Sequence, residues 1–578
     1  MGGFVSETHP VQPKGRRRLV AACTAGILSL GAFALGTGAQ AAEPGAHRGI
    51  QRPTVTTGQL PHLVGQKATG RTKSRLAPSP AAAPPRYDVD GDGIGDLLYR
   101  TPDDNWYSDD SQASQDAELG AGSEKFVDVL TPGDLDASAG PEILATTSTG
   151  SLELFSPANF PNYASWTGTG WNVYNKLVSV DDVTGDGRAD IIARTFSGQL
   201  YLYQGTGNPS APFAARLLIG PGWGAYDQLT SPGDIDGDGV SDLVARDSSG
   251  VLYRYKGTGS AARPFGARST VGSGWNAYNQ LIGVGASNGS RGVLLARTAG
   301  GALYQYTPNG TGGFTARALF GSGWNIADVT AGTGGVPFWG KKELIGETPN
   351  GSLFWYGVNN TGGFYARQAA SGPGDWAGEF TMTFANALTS SGLPTFLDHY
   401  GNGLYNVDQE YALISNGWSS YNLIAGPGDL SGDGKGDLLG RDTSGNLYLF
   451  RGYGDGLRLA GRQLVGAGWG AYNAVVGSGD FSGDGRADIV ARTGDGTLYL
   501  YKGTGNASAP FAPRVKIGTG WGQYTQLVSP GDMDGDGRAD LLAVTSAGTA
   551  YRYSSTGTGQ FKARATVGTG WNAYKKLF

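Results

Sequence analysis

Six short stretches of this chain each crowd acidic side chains into nine residues. In Asp234-Ile-Asp236-Gly-Asp238-Gly-Val240-Ser-Asp242 the carboxylates fall at positions 1, 3, 5 and 9. Gly237 and Gly239 free the backbone to turn sharply enough for them to converge. Hard oxygen donors gathered in this way suit calcium, with the carbonyl of Val240 as a backbone ligand. Asp88-Asp90-Asp92-Asp96 and Asp532-Asp534-Asp536-Asp540 repeat the full set. Asp182-Thr184-Asp186-Asp190, Asp429-Ser431-Asp433-Asp437 and Asp480-Ser482-Asp484-Asp488 put a hydroxyl at the third position, which lowers the charge of the site and weakens it. A further stretch, Asp134-Asp136-Ser138-Glu142, lacks the flanking glycines. One such loop alone would read as a solvated Asx turn. Six in one register point to a metal, and because general acid and base pairs have no reason to recur like this, the calcium is expected to be structural.

The elements that must hold these loops also recur. A strand of the type Asp-Leu-Val-Ala-Arg follows the loop, then a Ser-Gly turn and a second strand such as Leu252-Tyr-Arg-Tyr255. A segment of the type Ala-Arg-x-x-Ile-Gly comes next. A Gly-Trp signature precedes the following loop, at Trp171, Trp223, Trp275, Trp324, Trp418, Trp469, Trp521 and Trp571. Asp182 to Asp234 and Asp480 to Asp532 are both 52 residues. Four short antiparallel strands per repeat of this length is the size of a propeller blade, with a solenoid as the other reading. Closure favours the propeller. The first unit begins at its loop and lacks the preceding strand, while Trp571-Asn-Ala-Tyr-Lys-Lys-Leu-Phe578 supplies one.

About ten units are legible, with the loop lost around Gly285, Lys341 and Leu388. The expected fold is all-β, a β-propeller of four-stranded blades of about 50 residues. It divides as two five-bladed rings, residues 87–335 and 336–578, or forms one larger ring.

Composition agrees with this reading. There are 99 glycines, and glycine is costly inside helices. Aromatics make up 11 % of the chain, more than a disordered glycine-rich tract would carry. The net charge of −5 lies mostly in the loops, and no basic block suggests nucleic acid. Lys14 and Arg16–Arg18, an apolar run from Leu19 to Leu35 and Ala39-Gln-Ala41 read as a signal peptide cleaved after Ala41, hence a secreted, extracellular protein. The triple arginine is also compatible with twin-arginine export. The single cysteine, Cys23, lies in the segment to be removed, so no disulfides are expected and calcium is the available staple. No second run is long and apolar enough for a membrane span. Residues 42–86, rich in Pro and Ala, read as a disordered linker.

The Asp-x-Asp-Gly-Asp-Gly-x-x-Asp loop entering an apolar strand resembles the FG-GAP/VCBS repeats, which are similar to the blades of integrin α-subunit propellers. That resemblance covers residues 88–578 and implies calcium on the outer part of each blade. The Gly-Thr-Gly-Trp-Asn-x-Tyr element is similar to that of tachylectin-type five-bladed propellers, which are sugar-binding proteins.

Trp223 with Tyr226, Trp275 with Tyr278, Trp469 with Tyr472 and Trp521 with Tyr524 read first as packing between blades. The second reading is shallow pockets where an aromatic face stacks on a sugar. Arg194, Arg246, Arg297, Arg441 and Arg492, which close the strand after the loop, read as hydrogen-bonding clamps between blades, with contact to an anionic ligand as the lesser reading. No catalytic motif is found. The expectation is therefore a non-catalytic binding or adhesion module for glycans or a cell-surface or matrix partner. The alternatives are a purely structural spacer and a secreted hydrolase or lyase using the irregular middle repeats, around Asp375, Glu379, Asp398 and His399.

Overall fold

The computed structural model describes residues 60–63, 86–89, 95–101, 105–109, 117–120, 126–135, 140–147, 150–286, 291–327, 329–333, 342–378, 381–389, 394–409 and 411–578. The export segment and cleavage point read at residues 1–41 lie outside them.

One repeat shows how the sequence builds the fold. Gly222, at φ 91°, adopts the left-handed conformation that a side chain would resist. It opens a single 3-10 turn, Trp223–Ala225, and the strand Tyr226–Gly233 follows. The acidic loop comes next, then antiparallel strands Asp242–Asp247, Leu252–Gly257 and Phe265–Gly272. Asp242–Asp247 is buried along nearly its whole length because neighbouring repeats cover both of its faces, and successive side chains serve opposite ones. Leu243 and Ala245 pack with Val178, Ile192 and Leu200 of the preceding repeat. Val244 packs with Trp275, Leu281 and Leu294 of the following one. Full burial of each leucine or valine contributes about 1.5–3 kcal/mol, so every repeat is stabilised mainly by its neighbours.

The described strands form seven four-stranded sheets, one five-stranded and one eight-stranded sheet. The eight-stranded sheet is two four-stranded meanders joined by a parallel bridge between Ala385 and Gly426. No α-helix occurs among the described residues. Two pairings join distant parts of the chain. Tyr99 and Arg100 pair with Thr330 and Val329, and Gly346 and Glu347 pair with Leu577 and Lys576. The innermost strands at residues 126–133, 174–179, 226–233 and 280–283 lie side by side, as do those at 381–385, 421–428, 472–479 and 524–531.

Two parts of residues 42–86 depart from the linker reading. His62–Leu63 is a strand that pairs with Ser322 and Gly321 and makes the fifth strand of its sheet, and Leu60 beside it is buried. Arg86 is buried and donates to the carbonyls of Ser179 (3.1 Å), Gly283 (2.8 Å) and Ser231, each on a different inner strand or at its end. It also pairs with Asp181 at 3.1 Å.

The first and second halves of the chain meet through the loops of the second. Asn175 donates to the carbonyl of Asp484 (3.2 Å) and Asn279 to that of Asp534 (2.7 Å). Arg538 pairs with Asp227 at 2.9 Å.

Candidate metal centres

In every fully described loop the first and last aspartates hold the backbone. Asp234 accepts from the N–H groups of Gly237 (2.6 Å) and Gly239 (2.8 Å); these glycines sit at φ 87° and 89°. Asp242 accepts from Ile235 within the loop (3.0 Å) and from Gly257 at the end of the hairpin (2.8 Å). The same pair of bonds recurs at Asp190, Asp437, Asp488 and Asp540. The loop is thereby laced to the hairpin that follows it.

Three loops bring three carboxylates together, with oxygens within 4.8 Å of one another: Asp234, Asp236 and Asp242; Asp480, Asp484 and Asp488; Asp532, Asp534 and Asp540. Asp238 and Asp536 are not members of these trios and form ion pairs with Lys256 (2.9 Å) and Arg538 (3.1 Å). In the loops with a hydroxyl at the third position, Thr184, Ser431 and Ser482 donate to Asp182, Asp429 and Asp480. Asp186 and Asp433 each accept from the backbone two residues on. Asp88 and Asp96 are buried, with Asp96 accepting from Val89. Asp90 and Asp92 lie outside the described residues.

The electrostatics differ among the three clusters. Burial, then the fields of Asp534, Asp536 and Asp532, push the Asp540 carboxyl well above the usual carboxylate range. Burial followed by Asp480 and Asp484 does the same to Asp488, and burial pushes Asp242 up to about 6. Asp236 lies below its ordinary value, because Lys256 and Arg254 outweigh its burial. Asp534 accepts from Ser554 at 2.8 Å, yet its other carboxylate oxygen is buried without a donor, as is one oxygen of Asp236. Arg254 (2.9 Å) and Lys256 (2.8 Å) already offset Asp236, and Arg552 stands 3.7 Å from Asp534; a buried carboxylate oxygen left without a donor is still costly. The donor set is all oxygen and suits a hard divalent ion.

The aromatic pairs are packed away. Trp223, Tyr226, Trp275, Tyr278, Trp469, Tyr472, Trp521 and Tyr524 are all buried. Trp223 lies 4.5 Å from Tyr255 between ring centroids, and Trp275, Trp469 and Trp521 lie against Tyr306, Tyr501 and Tyr553 in the same way. The Tyr226 and Tyr255 hydroxyls are hydrogen-bonded at 2.6 Å. With their faces covered by the next strands, these rings act in packing, and the sugar-stacking reading loses its open face. The arginines are clamps. Arg246 donates to the carbonyls of Trp275 (2.9 Å) and Tyr278 (2.6 Å) on the next repeat and grips Asp227 with both sides of its fork. Arg194, Arg297, Arg441 and Arg492 reach the corresponding carbonyls.

A second set of arginines escaped the sequence reading. Arg216, Arg268, Arg317, Arg462, Arg514 and Arg564 are exposed, and each lies over a tyrosine ring at 4.2–4.5 Å. The recurrent Ala-Arg was the visible signal, but the tyrosine beneath it comes from the neighbouring strand. In the middle repeats, Asp398 and His399 are adjacent on the strand Thr395–Tyr400, so they face opposite sides. Asp398 is fully buried and accepts from Tyr411. Asp375 caps Gly372 (2.8 Å), and Glu379 lies outside the described residues. The described members of that group do not form a site.

The fold and these loops define a class: an all-β propeller of four-stranded antiparallel blades that carries acidic metal-type loops. Within that class the chain carries FG-GAP-like repeats, matched at residues 182–245, 429–491 and 480–543. No curated protein matches the chain. Among solved structures, a lectin of Agrocybe aegerita that specifically recognises non-reducing terminal N-acetylglucosamine is 17 % identical, with 79 % of this chain and 95 % of that chain covered and a TM-score of 0.22. The BP39L lectin of Burkholderia pseudomallei is 15 % identical, covering 68 % and 99 %, with a TM-score of 0.21. Sqt1 of Saccharomyces cerevisiae is 12 % identical, covering 68 % and 85 %, at 0.18. Overlaps this small carry nothing about ligand or role. No helix among the described residues is long and apolar enough to cross a membrane.

Proposed function

We propose that this is a secreted, calcium-binding, non-catalytic binding module built as two five-bladed rings, residues 87–335 and 336–578. The observation that carries the calcium reading is the 532–540 loop, where three carboxylates converge in a buried space and one oxygen of Asp534 has no donor. Calcium there would be held by Asp532, Asp534 and Asp540, and in the other two loops by Asp234, Asp236 and Asp242 and by Asp480, Asp484 and Asp488. It would neutralise the repulsion that, together with burial, raises the proton affinities of Asp488 and Asp540. The division into rings is supported by the two long-range pairings, Tyr99 with Thr330 and Gly346 with Leu577, which join the first and last strands of each half.

The partner we propose is a glycan or another multivalent cell-surface or matrix ligand. Six equivalent exposed arginines, each held over a tyrosine, repeat one contact around the molecule, and weak contacts repeated on a rigid frame gain avidity. The test has two parts. Calorimetric titration of the mature protein with calcium should show saturable binding, reduced in Asp534→Asn; no heat of binding would end the calcium reading. A glycan array probed with and without calcium should light up only with it, and uniform silence would sink the sugar version.

A further inference from the structure

We infer that the space enclosed by the inner strands of the second half is a binding site for a small carboxylate with an apolar body. The strands Thr381–Ala385, Tyr421–Gly428, Tyr472–Gly479, Tyr524–Gly531 and Lys576–Leu577 surround a cavity of about 280 Å³. Leu423, Val475, Leu527 and Phe578 give it apolar walls, and Lys576 is the single charged residue in its lining. The Lys576 amine lies 4.7 Å from the centre of the Phe578 ring. Among the described residues it has no ion pair within 4 Å: Glu347, whose field reaches it, is paired with Lys575 at 3.1 Å and is not in the lining.

The first half shows what this space requires, because there the chain fills it. Lys176 stands two residues after Tyr174, as Lys576 stands two after Tyr574. Lys176 is buried, donates to the carbonyl of Asp227 at 2.8 Å and faces the charge of Asp128. Ser179, Ser231 and Gly283, five residues after Tyr174, Tyr226 and Tyr278, are bridged by the Arg86 guanidinium. Gly426, Gly477 and Ser529 hold the same register after Tyr421, Tyr472 and Tyr524, and there they border the open cavity. The second half therefore keeps the lysine and lacks both the carboxylate and the plug. A partly buried ammonium without an ion-pair partner attracts a carboxylate through a charge-assisted bond, and Leu423, Val475, Leu527 and Phe578 favour an apolar body beside it.

The test is calorimetric titration of the whole chain, in calcium, with hydrocinnamate, its alcohol and its amine. Hydrocinnamate should bind at one site, and Lys576→Met should weaken it by about tenfold or more while leaving the alcohol nearly unchanged. Leu527→Trp, which fills the cavity and keeps the lysine, should abolish binding of both; it also serves if the lysine variant fails to fold, which thermal unfolding reports. The inference is overturned if hydrocinnamate does not bind, binds both variants as it binds the parent, or binds less tightly than the amine.

Discussion

Asp534 sits where three buried carboxylates meet, with one oxygen on Ser554 and the other unused. Replacing it with asparagine keeps the shape and removes one charge. Calcium affinity at that loop should fall by about 1.5–3 kcal/mol, the worth of a charge-assisted contact, read by calorimetry with the other loops as internal controls. This part of the site was legible in the sequence because four ligands within nine residues need no tertiary contact to be recognised. What was not legible is which loops close. Lys256 and Arg254 reach Asp236 from the hairpin nearly twenty residues on, and no local pattern announces that. The Trp and Tyr pairs were legible as a repeat, yet whether their faces are open depends on Tyr255, Tyr306, Tyr501 and Tyr553, each on another strand. His399 gives a residue-scale test of pH. Burial holds its ring below the ordinary 6.5, against the hydrogen bond to Gly401. A group favoured neutral by the fold supports stability fully above 6.5 and loses that support as pH falls through its lower folded value. His399→Gln should therefore lose less stability than the parent between pH 7.5 and pH 5 in chemical unfolding, a window set by this shift.

The repeated strand after each loop ends in an arginine that grips the next repeat, and the clamps differ in depth. Arg246 is buried and bidentate to Asp227. Arg441 is less buried and meets the neutral Asn422. Arg246→Ala should cost about 2–3 kcal/mol, because its charge-assisted bonds to Asp227 are lost while Asp227 keeps its pair with Arg538, whereas Arg441→Ala should cost about 1–2 kcal/mol for its hydrogen bonds to neutral partners; equal midpoints in denaturant would contradict this. The four-strand repeat was legible because hydrophobic alternation, turn glycines and a constant period all agree. The plug formed by Arg86 was not. It is a lone arginine after a Pro- and Ala-rich run, and its partners, Ser179, Ser231 and Gly283, are up to 197 residues away.

For the molecule as a whole, removing calcium should act at more than one place. Chelation is expected to lower the melting temperature by several degrees, since each kcal/mol lost moves a domain of 150–250 residues by about 2–4 °C; an unchanged calorimetric profile would count against it. The junction between the halves should respond as well. Limited proteolysis ought to cut chelated protein near Arg486 and Arg538 sooner than loaded protein, because those loops carry the contacts to the first half.

That junction has a thermodynamic consequence. The carbonyl of Asp534 is held by Asn279 while its carboxylate belongs to the metal cluster, so the same short loop serves two binding events. Free energies coupled through one element are reciprocal. If calcium tightens the hold of one half on the other, that hold must raise calcium affinity by the same factor. Asn279→Ala, a change in the first half that removes no metal ligand, should then weaken calcium at 532–540 and leave Asp234, Asp236 and Asp242 untouched. The protein would thus sense ionic conditions with a cooperativity written into its seam.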